Sequence, residues 1–413
     1  MPTTGYSKSH VPLHHKLHLF PDFRISEHAA LYLTHTIRAF SVTLVGVFLP
    51  IYIYRLSSSY LYFHPSIVVN GLLWVLLYYF LRSLFVSIGL PLLIKPVFNR
   101  LGFGKSIFIS LILLIIEMVL WTLSEGNLHL MIVAGVLAGI KVIFYWIPYH
   151  IFFVEKFKTK EGHYGQNSGK RIFFVRMAAG LAPAIGGLVI AAFGFNALFV
   201  MSIMLVLVSS IPIFANVHDW SHDKHNLKSV LKNYLFNPKL KLLTLAHFGE
   251  GLEAGIYHLW PVLLFLVLRN FAEIGIVNSL SQLISSIAVL YVGKMLDKHG
   301  TKVFHGIGVT VNALLHIPRI LFSSAPLYYA LDVVDRMNSN LYGLPIISLT
   351  YEKARKLGRS DYIIFREFTI HTAIAMVSAF AFLLIPSLGN WRYIFIVPAI
   401  GGLMTFFLDL DKN

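Results

Sequence analysis

The chain has 413 residues, of which 56% are hydrophobic and 13% charged, and its mean hydropathy is +0.70. These values exclude a soluble multi-domain protein, because too few charged residues remain to cover its surface. Cysteine is absent, which excludes disulfides and thiolate metal sites. The composition therefore predicts an all-α, multi-pass membrane protein embedded in the lipid bilayer.

Twelve apolar runs are long enough to cross about 30 Å of hydrocarbon as transmembrane helices. The first thirty residues lack an apolar core with a cleavage site, so we expect a retained tail and no removable signal peptide. In chain order the predicted spans are 31–54, 67–93, 104–124, 128–154, 171–193, 195–215, 241–268, 273–293, 302–323, 325–350, 361–386 and 391–409.

The formal net charge of +15 would suggest a nucleic-acid partner in a soluble protein, but its distribution indicates otherwise. Of the 34 Lys and Arg residues, 24 lie in the two tails and in alternate loops, whereas the other loops hold only Arg55, Arg269 and Arg392. The positive-inside rule then predicts that both termini are cytoplasmic and that no nucleic acid is bound. We expect the protein in the plasma (inner) membrane of the cell.

The chain contains an internal repeat. Pro148 and Glu155 recur 197 residues later as Pro345 and Glu352, and other matches follow in the same order. A common order and a near-constant offset indicate duplication. The predicted organisation is a cytoplasmic tail (1–30), an amino-terminal six-helix bundle (31–215), a cytoplasmic linker (216–240) and a carboxy-terminal six-helix bundle (241–413).

A basic loop with a single acid follows the eighth predicted span. Its spaced residues are Gly293, Asp297, Lys298, Gly300 and Lys302, and a weaker copy in the first half has Asn99 and Arg100. Between spans eight and nine of a duplicated chain, this pattern resembles the loop signature of the major facilitator superfamily. The resemblance covers nearly all of residues 31–409. It implies two pseudo-symmetric bundles around a central cavity and transport by alternating access.

The acid of this loop is the candidate gating residue. A carboxylate can interact with nearby helix N-termini, where unpaired amides and the helix dipole favour an anion. The resemblance implies that Asp297 braces the cytoplasmic side, here against the start of span five near Lys170 and Arg171. The alternative is an ordinary basic turn held at the headgroups. Because Asn99 carries no charge, bracing should depend on Asp297 more than on Asn99.

Span five carries small residues and a proline at a spacing that resembles a glycine-proline motif of antiporters in the superfamily. Small residues permit close helix packing, and proline bends a helix. The resemblance favours export, and the alternative is a packing seam with no bearing on direction. The motif residues are Gly169, Ala178, Ala182, Pro183, Gly186 and Gly187.

Charged residues inside spans indicate function, because inserting one charged side chain at the membrane centre costs about 2.5–3.5 kcal/mol of free energy. The resemblance implies that spans one, four, seven and ten line the cavity. Two acid pairs there share a helix face at a spacing of three, and an arginine follows one acid at a spacing of four. Nearby carboxylates in a poorly hydrated site tend to share a proton. The proton-coupling candidates are Asp332, Asp335, Arg336, Glu250 and Glu253, and the alternative is a set of fixed salt bridges.

The two halves differ in the sign of their intramembrane charge. Basic residues dominate the first half and acids the second, which favours an anionic or zwitterionic substrate group held by the first half. Arg176 and Arg366 are interpreted as snorkelling to the lipid headgroups. The substrate-binding candidates are Arg38, Lys141 and two repeat-equivalent tyrosines, Tyr145 and Tyr342.

Histidines cluster in the tail and in the linker. Imidazoles at i and i+4 can chelate zinc or nickel, but neither segment has a scaffold to fix their geometry, so no metal and no other cofactor is predicted. A His-rich integral-membrane enzyme and a non-transporting receptor are the less favoured alternatives. The clusters are His10, His14, His15 and His18, and His218, His222 and His225.

The sequence contains no GxxxxGK[ST] phosphate loop and no nucleophile elbow, so ATP-driven pumping and enzyme activity are not expected. We predict a monomeric, proton-coupled secondary transporter. It moves a small amphipathic or anionic organic molecule, with export favoured. Proton-coupled uptake of a polar nutrient is the alternative.

Overall fold

The computed structural model describes residues 25–58, 60–96, 101–156, 164–216 and 230–410. Most of the predicted tail, most of the predicted linker, both histidine clusters and the loop residues Asn99 and Arg100 lie outside these ranges. Each predicted span corresponds to a helix or to a pair of helices in the described part of the chain.

The amino-terminal half consists of spans one to six. Span one is Glu27–Gly46 with Leu49–Ser57, span two is Ile67–Pro96, span three is Gly102–Leu123 and span four is Leu130–Lys156. Span five is Tyr164–Ala179 and the first part of Ala182–Asn216, and span six is the remainder of that helix.

Spans five and six are separated by a reversal at Gly194. Its φ of 82° and ψ of 179° suit only glycine. The side chain of Leu198 comes back against Gly186, which two residues twelve positions apart on one straight helix could not do. The long helical stretch is therefore a hairpin of two spans.

The carboxy-terminal half consists of spans seven to twelve. Short turns Leu231–Leu235 and Pro238–Leu240 precede it. Span seven is Lys241–Tyr257 with Trp260–Leu268, span eight is Phe271–His299 and span nine is Thr301–Leu321. Span ten is Ala325–Leu357 and span eleven is Arg359–Leu384. Span twelve is Trp391–Phe395 with Ile396–Met404, and the short helix Phe407–Leu410 follows it.

Length and hydropathy alone identify eight membrane-crossing stretches among the described residues. One of them, Ile172–Phe214, contains both span five and span six, and the apolar helix Trp391–Met404 is shorter than the others. Spans nine and ten have 21 and 33 residues but are less apolar, because they carry charged and amide side chains that face the protein interior. The helices together confirm the twelve-span, all-α prediction.

Spans one and seven are broken at equivalent points. The second helix of each span has a proline in its first turn, Pro50 in span one and Pro261 in span seven. Proline has no backbone N–H to donate to the preceding turn, so the helix is interrupted just before it. The sequence repeat is thus visible as a repeated kink.

Two seams join the halves, one between spans five and eight and the other between spans two and eleven. In the first seam the backbones touch, since a Cβ on Gly187 would collide with the carbonyl oxygen of Phe271 and one on Gly275 with that of Pro183. In the second seam, Thr372 donates to Ser87 Oγ at 3.1 Å. The space between the two seams is the central cavity.

Because the number of spans is even, both described chain ends lie on the same side of the bundles. This side is here called the tail side, and the opposite side is called the far side.

On the tail side, Tyr234 donates to the backbone carbonyl of Leu357 at the end of span ten. Burial raises the pKa of Tyr234 to about 12, so the hydroxyl keeps the proton that it donates.

Candidate functional site

A cavity of about 620 Å³, here called the central cavity, lies between the halves. This volume is in the range of sites for metabolite-sized and drug-sized ligands. Spans one, two, four, five, seven, ten and eleven contribute to its wall. Its charged and imidazole side chains are Arg82, Arg176, Arg366, Glu250, Glu367, His35, His150, His258 and His371.

The rest of the wall is aromatic and aliphatic. Trp146, Tyr149 and Tyr342 supply rings, and isoleucines of spans five, ten and eleven supply flat aliphatic surface. The ring of Tyr149 stacks on His35 with centroids 4.2 Å apart, so these rings are held rigidly. A wall of this kind fits an organic ligand with an apolar body.

Two arginines of the central cavity have no acidic partner in the part of the chain that the structure describes. Arg176 donates to Asn340 Oδ1 at 2.8 Å and to Ser285 Oγ at 3.3 Å, both neutral groups. Arg82 lies 5.9 Å from the ring of Tyr79, and no described carboxylate is within ion-pair distance of either guanidinium. Guanidinium groups without a counter-ion in a closed site attract carboxylate, sulfonate or phosphate groups.

The third arginine of the cavity is paired with two acids. Arg366 donates to Glu250 of span seven and, at 2.7 Å, to Glu367 Oε1 of its own span. Its side chain is 11% exposed. The interpretation of Arg176 and Arg366 as headgroup-snorkelling residues is therefore wrong, because both point into the cavity, where neutral amides or carboxylates bind them.

A second cavity of about 370 Å³ adjoins the first and shares Arg176, Glu250, His258 and Tyr342 with it. It also contains Glu253, which accepts hydrogen bonds from Tyr342 and, at 3.1 Å, from Asn312 Nδ2. These partners are neutral, and no described cation is within ion-pair distance of Glu253.

The aspartates of span ten belong to a buried ion cluster. Asp335 accepts from Arg319 at 2.8 Å, and Arg319 is 0% exposed. Asp332 lies 3.8 Å from Arg336 Nε, which is the pair expected from their spacing, and accepts from Trp260 Nε1 at 3.2 Å. Each aspartate thus has its own arginine. Asp335 and Arg336 line the second cavity, whereas Asp332 lines neither.

Arg38, Lys141 and Tyr145 lie behind the wall of the central cavity and line neither cavity. The Arg38 guanidinium is 3.5 Å above the Tyr145 ring, and the Tyr145 hydroxyl is hydrogen-bonded to His35 Nδ1 at 2.7 Å. Lys141 donates to Glu117 of span three. Their role in substrate binding stays a prediction.

The far side of the central cavity is closed by aromatic contacts between the halves. Tyr79 of span two stacks on His258 of span seven with ring centroids 3.5 Å apart. Beyond this pair, the rings of Tyr54 and Phe265 are 6.4 Å apart. The cavity residues themselves lie between the middle of the spans and the tail side.

On the tail side the halves are linked by a hydrogen bond between spans four and ten. His150 Nδ1 of span four is hydrogen-bonded to the Tyr351 hydroxyl of span ten at 3.0 Å. Among the described residues, the aromatic pairs between the halves thus lie on the far side of the central cavity.

The gating-loop residues Gly293, Asp297 and Lys298 lie in the last turns of span eight, and Gly300, with a φ of 85°, makes the turn before Lys302 of span nine. Gly293 is buried against Gly169 of span five. The loop therefore adjoins the start of span five, and bracing by Asp297 stays a prediction.

The span-five motif lies in the seam with span eight and against span one. Gly169 faces the carbonyl oxygen of Val289, Gly186 that of Leu44, and Gly187 that of Phe271. Ala182 is buried in the main core, while Ala178 is exposed. Any bearing of this motif on the direction of transport also stays a prediction.

No group of three or more His, Asp or Glu side chains with the geometry of a metal site occurs in the described part of the chain.

The residues missed at the sequence level lie on spans two, five and eleven. Arg82, Arg176 and Glu367 lie outside spans one, four, seven and ten, to which the resemblance assigns the cavity wall, and so were not predicted as site residues. A usable signal existed, since all three are charged residues well inside apolar runs.

No protein-family model matches the sequence, and no curated protein matches it. Solved structures do match in fold. The Escherichia coli fucose:proton symporter FucP superposes with a TM-score of 0.63 at 13% identity, over 93% of this chain and 98% of that chain. The human organic anion transporter MFSD10 (TETRAN) gives 0.62 at 12% identity, over 93% of this chain and 100% of that chain.

A bacterial homologue of the iron transporter ferroportin, solved in an outward-facing state, gives a TM-score of 0.63 at 14% identity, over 95% of this chain and 100% of that chain. All three similarities extend over nearly the whole of both chains. The chain therefore has the fold of the major facilitator superfamily transporters, which confirms the predicted resemblance.

Proposed function

We propose that the protein is a secondary active transporter that moves an amphipathic organic anion across the membrane by alternating access. The observation that carries the proposal is the central cavity, in which Arg82 and Arg176 have no acidic partner among the described residues and the remaining wall is largely apolar. An unpaired buried cation is costly, so its retention favours a function in binding a negatively charged ligand.

The dimensions and walls of the cavity indicate the substrate class. A volume of about 620 Å³ accommodates a molecule of one or two rings, and Trp146, Tyr149 and Tyr342 can pack against its apolar body. An acidic group at one end would contact Arg176 or Arg82. The favoured class is therefore an aromatic or aliphatic carboxylate, sulfonate or phosphate.

The closure of the far side supports alternating access. Two proteins of this fold, FucP and the ferroportin homologue, are described in outward states, whereas the present structure is closed by aromatic pairs on the far side. With the positive-inside assignment, the tail side is the cytoplasm and this state faces inward. We propose a location in the plasma membrane and a monomeric unit of transport.

A proton gradient is the proposed driving force. Asp332 and Asp335 each have an arginine and are better suited to holding helices together. Glu250 and Glu367 border the central cavity and share Arg366, whereas Glu253 borders the second cavity and has only neutral partners among the described residues. These three glutamates are the better candidates for carrying a proton. FucP, of the same fold, is named a fucose:proton symporter. Export, favoured by the motif in span five, and uptake are both compatible with this cavity.

The proposal can be tested by ligand-induced stabilisation of the purified protein. Matched probes are p-toluenesulfonate, an aromatic anion, and benzyltrimethylammonium, an aromatic cation. We expect only the anion to raise the melting temperature, because ligand binding to the folded state stabilises it by mass action.

Variants locate the binding site. The stabilisation should be lost in Arg176→Gln and reduced in Arg82→Gln, and retained in Arg269→Gln, which removes an exposed positive charge on the far side. Equal stabilisation by the cation, or an undiminished response in Arg176→Gln, would contradict the proposal.

A further inference from the structure

A row of ionisable side chains joins spans seven and eleven along the wall of the central cavity. Arg366 stands between Glu250 and Glu367, and these three residues are called the acidic triad. A histidine stands at each end, with His247 Nδ1 3.3 Å from Glu250 and His371 Nε2 3.8 Å from Glu367. Two separate helices thus contribute one continuous polar group.

The acidic triad carries one excess negative charge, because a single guanidinium faces two carboxylates. Both carboxylates and the arginine line the central cavity, so the excess charge faces the same space as Arg176. Two carboxylates that share one cation in a poorly hydrated site can hold one proton between them.

Other charged or titratable groups surround the triad from each neighbouring element. The terminal histidines are themselves held from outside the row, His247 by the Tyr362 hydroxyl at 2.9 Å and His371 by Ser83 Oγ of span two at 3.4 Å. The facing groups are Arg82 of span two, His150 of span four, Arg176 of span five, Glu253 and His258 of span seven, Tyr342, Tyr351 and Lys353 of span ten, and Tyr362 of span eleven.

We propose that the acidic triad takes up one proton and that this proton and the substrate anion bind together. The inference rests on the proposed function, because it concerns the same cavity. Without the proton, the excess negative charge of the triad repels the anion held by Arg176 and Arg82. Protonation makes the triad neutral and should tighten anion binding by roughly tenfold or more at a separation of several ångströms.

Coupled binding determines the mode of transport. By thermodynamic linkage, if the proton tightens anion binding, the anion tightens proton binding by the same factor. Two ligands that favour each other are carried in the same direction, whereas exchange requires that they compete. The acidic triad therefore assigns the protein to proton-anion symport, which favours uptake over the export suggested by the span-five motif.

The test measures the affinity of the full-length protein for p-toluenesulfonate, whose own charge does not change with pH. The range is about pH 5 to pH 8, in which such carboxyl pairs exchange their shared proton. We expect the dissociation constant of the native protein to fall roughly tenfold as the pH is lowered. In Glu367→Gln the triad is permanently neutral, so binding should be tight throughout the range.

The matched control is Glu273→Gln, which removes a carboxylate of span eight that lines neither cavity. It should retain the pH dependence of the native protein. Affinity that does not change with pH in the native protein would overturn the inference. The inference would also be overturned if the pH dependence survived in both Glu367→Gln and Glu250→Gln but disappeared in Glu253→Gln.

Infrared spectroscopy separates failure of this inference from failure of the proposed function. The C=O stretch of a protonated carboxyl group should appear as the pH is lowered and disappear in Glu367→Gln, with no ligand present. If p-toluenesulfonate binds at no pH but this band is found, the anion proposal fails and the proton site stands. If the anion binds and no such band titrates, the proton site fails.

Discussion

The two halves of the molecule treat their buried charges differently. In the amino-terminal half, Lys141 pairs with Glu117, while Arg82 and Arg176 face the cavity with no described acid in ion-pair contact. In the carboxy-terminal half every intramembrane arginine has an acid, as with Arg319 and Asp335. The first half is thus prepared to receive an anion, and the second half holds the acids that can receive a proton.

The difference shows which charges are available for function. A buried charge with a partner is part of the structure, and removing one member leaves the other uncompensated. A charge without a partner adds little to stability, and its benefit must come from a ligand. Stability and binding measurements on matched variants should therefore separate the two groups.

The largest expected effect is on stability, at the buried pair of the carboxy-terminal half. Asp335→Asn leaves Arg319, which is 0% exposed, without its counter-ion and should lower the free energy of unfolding by about 3–5 kcal/mol. Glu253→Gln leaves no arginine without a counter-ion and should lower the free energy of unfolding by less than about 1 kcal/mol. Reversible unfolding in mixed micelles measures both.

A second substitution serves as the control. Arg319→Met added to Asp335→Asn should recover part of the loss, because the two residues interact directly. Equal destabilisation by Asp335→Asn and Glu253→Gln would remove the distinction between paired and unpaired acids.

The next largest effect is on anion affinity, in the amino-terminal half. Arg176→Gln and Arg82→Gln should each weaken p-toluenesulfonate binding by about 10- to 100-fold, the usual value of a hydrogen bond to a charged group. Neither change leaves an acid without a counter-ion, so the free energy of unfolding should change little. Equilibrium dialysis gives the affinities, and a large loss of stability with unchanged affinity would assign these arginines to the structure instead.

A smaller effect is expected at the seam between the halves. Gly187→Ala places a methyl group against the carbonyl oxygen of Phe271 and should destabilise the state closed on the far side by about 1–3 kcal/mol. The chain has no cysteine, so Ala254→Cys in the cavity provides a single reactive site. Its alkylation from the far side should become faster.

Gly46→Ala is the control for this substitution, because its added methyl group would meet nothing within 4 Å. Unchanged alkylation in Gly187→Ala would show that the far-side closure does not depend on close packing of spans five and eight.

The smallest effect is expected at the loop between spans eight and nine. Asp297→Asn should shift the conformational balance by about 0.3–1 kcal/mol, the usual strength of a charge at a helix end. Asn99→Ala removes no charge and should shift it less. Alkylation of Ala254→Cys from the tail side compares them, and equal effects would contradict a special role for Asp297.

Much of the fold could be predicted from the sequence because membrane spans are long apolar runs. The kinks of spans one and seven also follow from the repeated prolines, Pro50 and Pro261. A strict threshold of hydropathy and charge detects only eight stretches among the described residues and misses spans nine and ten, because these spans carry polar side chains that are buried within the protein.

Less of the site could be predicted, because pairing between helices is not encoded in local spacing. Asp332 and Arg336 are four residues apart on one helix, and their proximity was expected. Lys141 and Glu117 are on different spans, so their pairing depends on how the helices pack. For the same reason the acidic triad could not be predicted, since Glu250 and Arg366 are 116 positions apart.

The most direct test of the central claim is uptake of radiolabelled p-toluenesulfonate into liposomes that contain the purified protein. We predict uptake well above that of empty liposomes, its loss in Arg176→Gln, its persistence in Arg269→Gln, and no uptake of benzyltrimethylammonium. Uptake equal to that of empty liposomes across a set of aromatic sulfonates and carboxylates, or equal transport of the cation, would contradict the account.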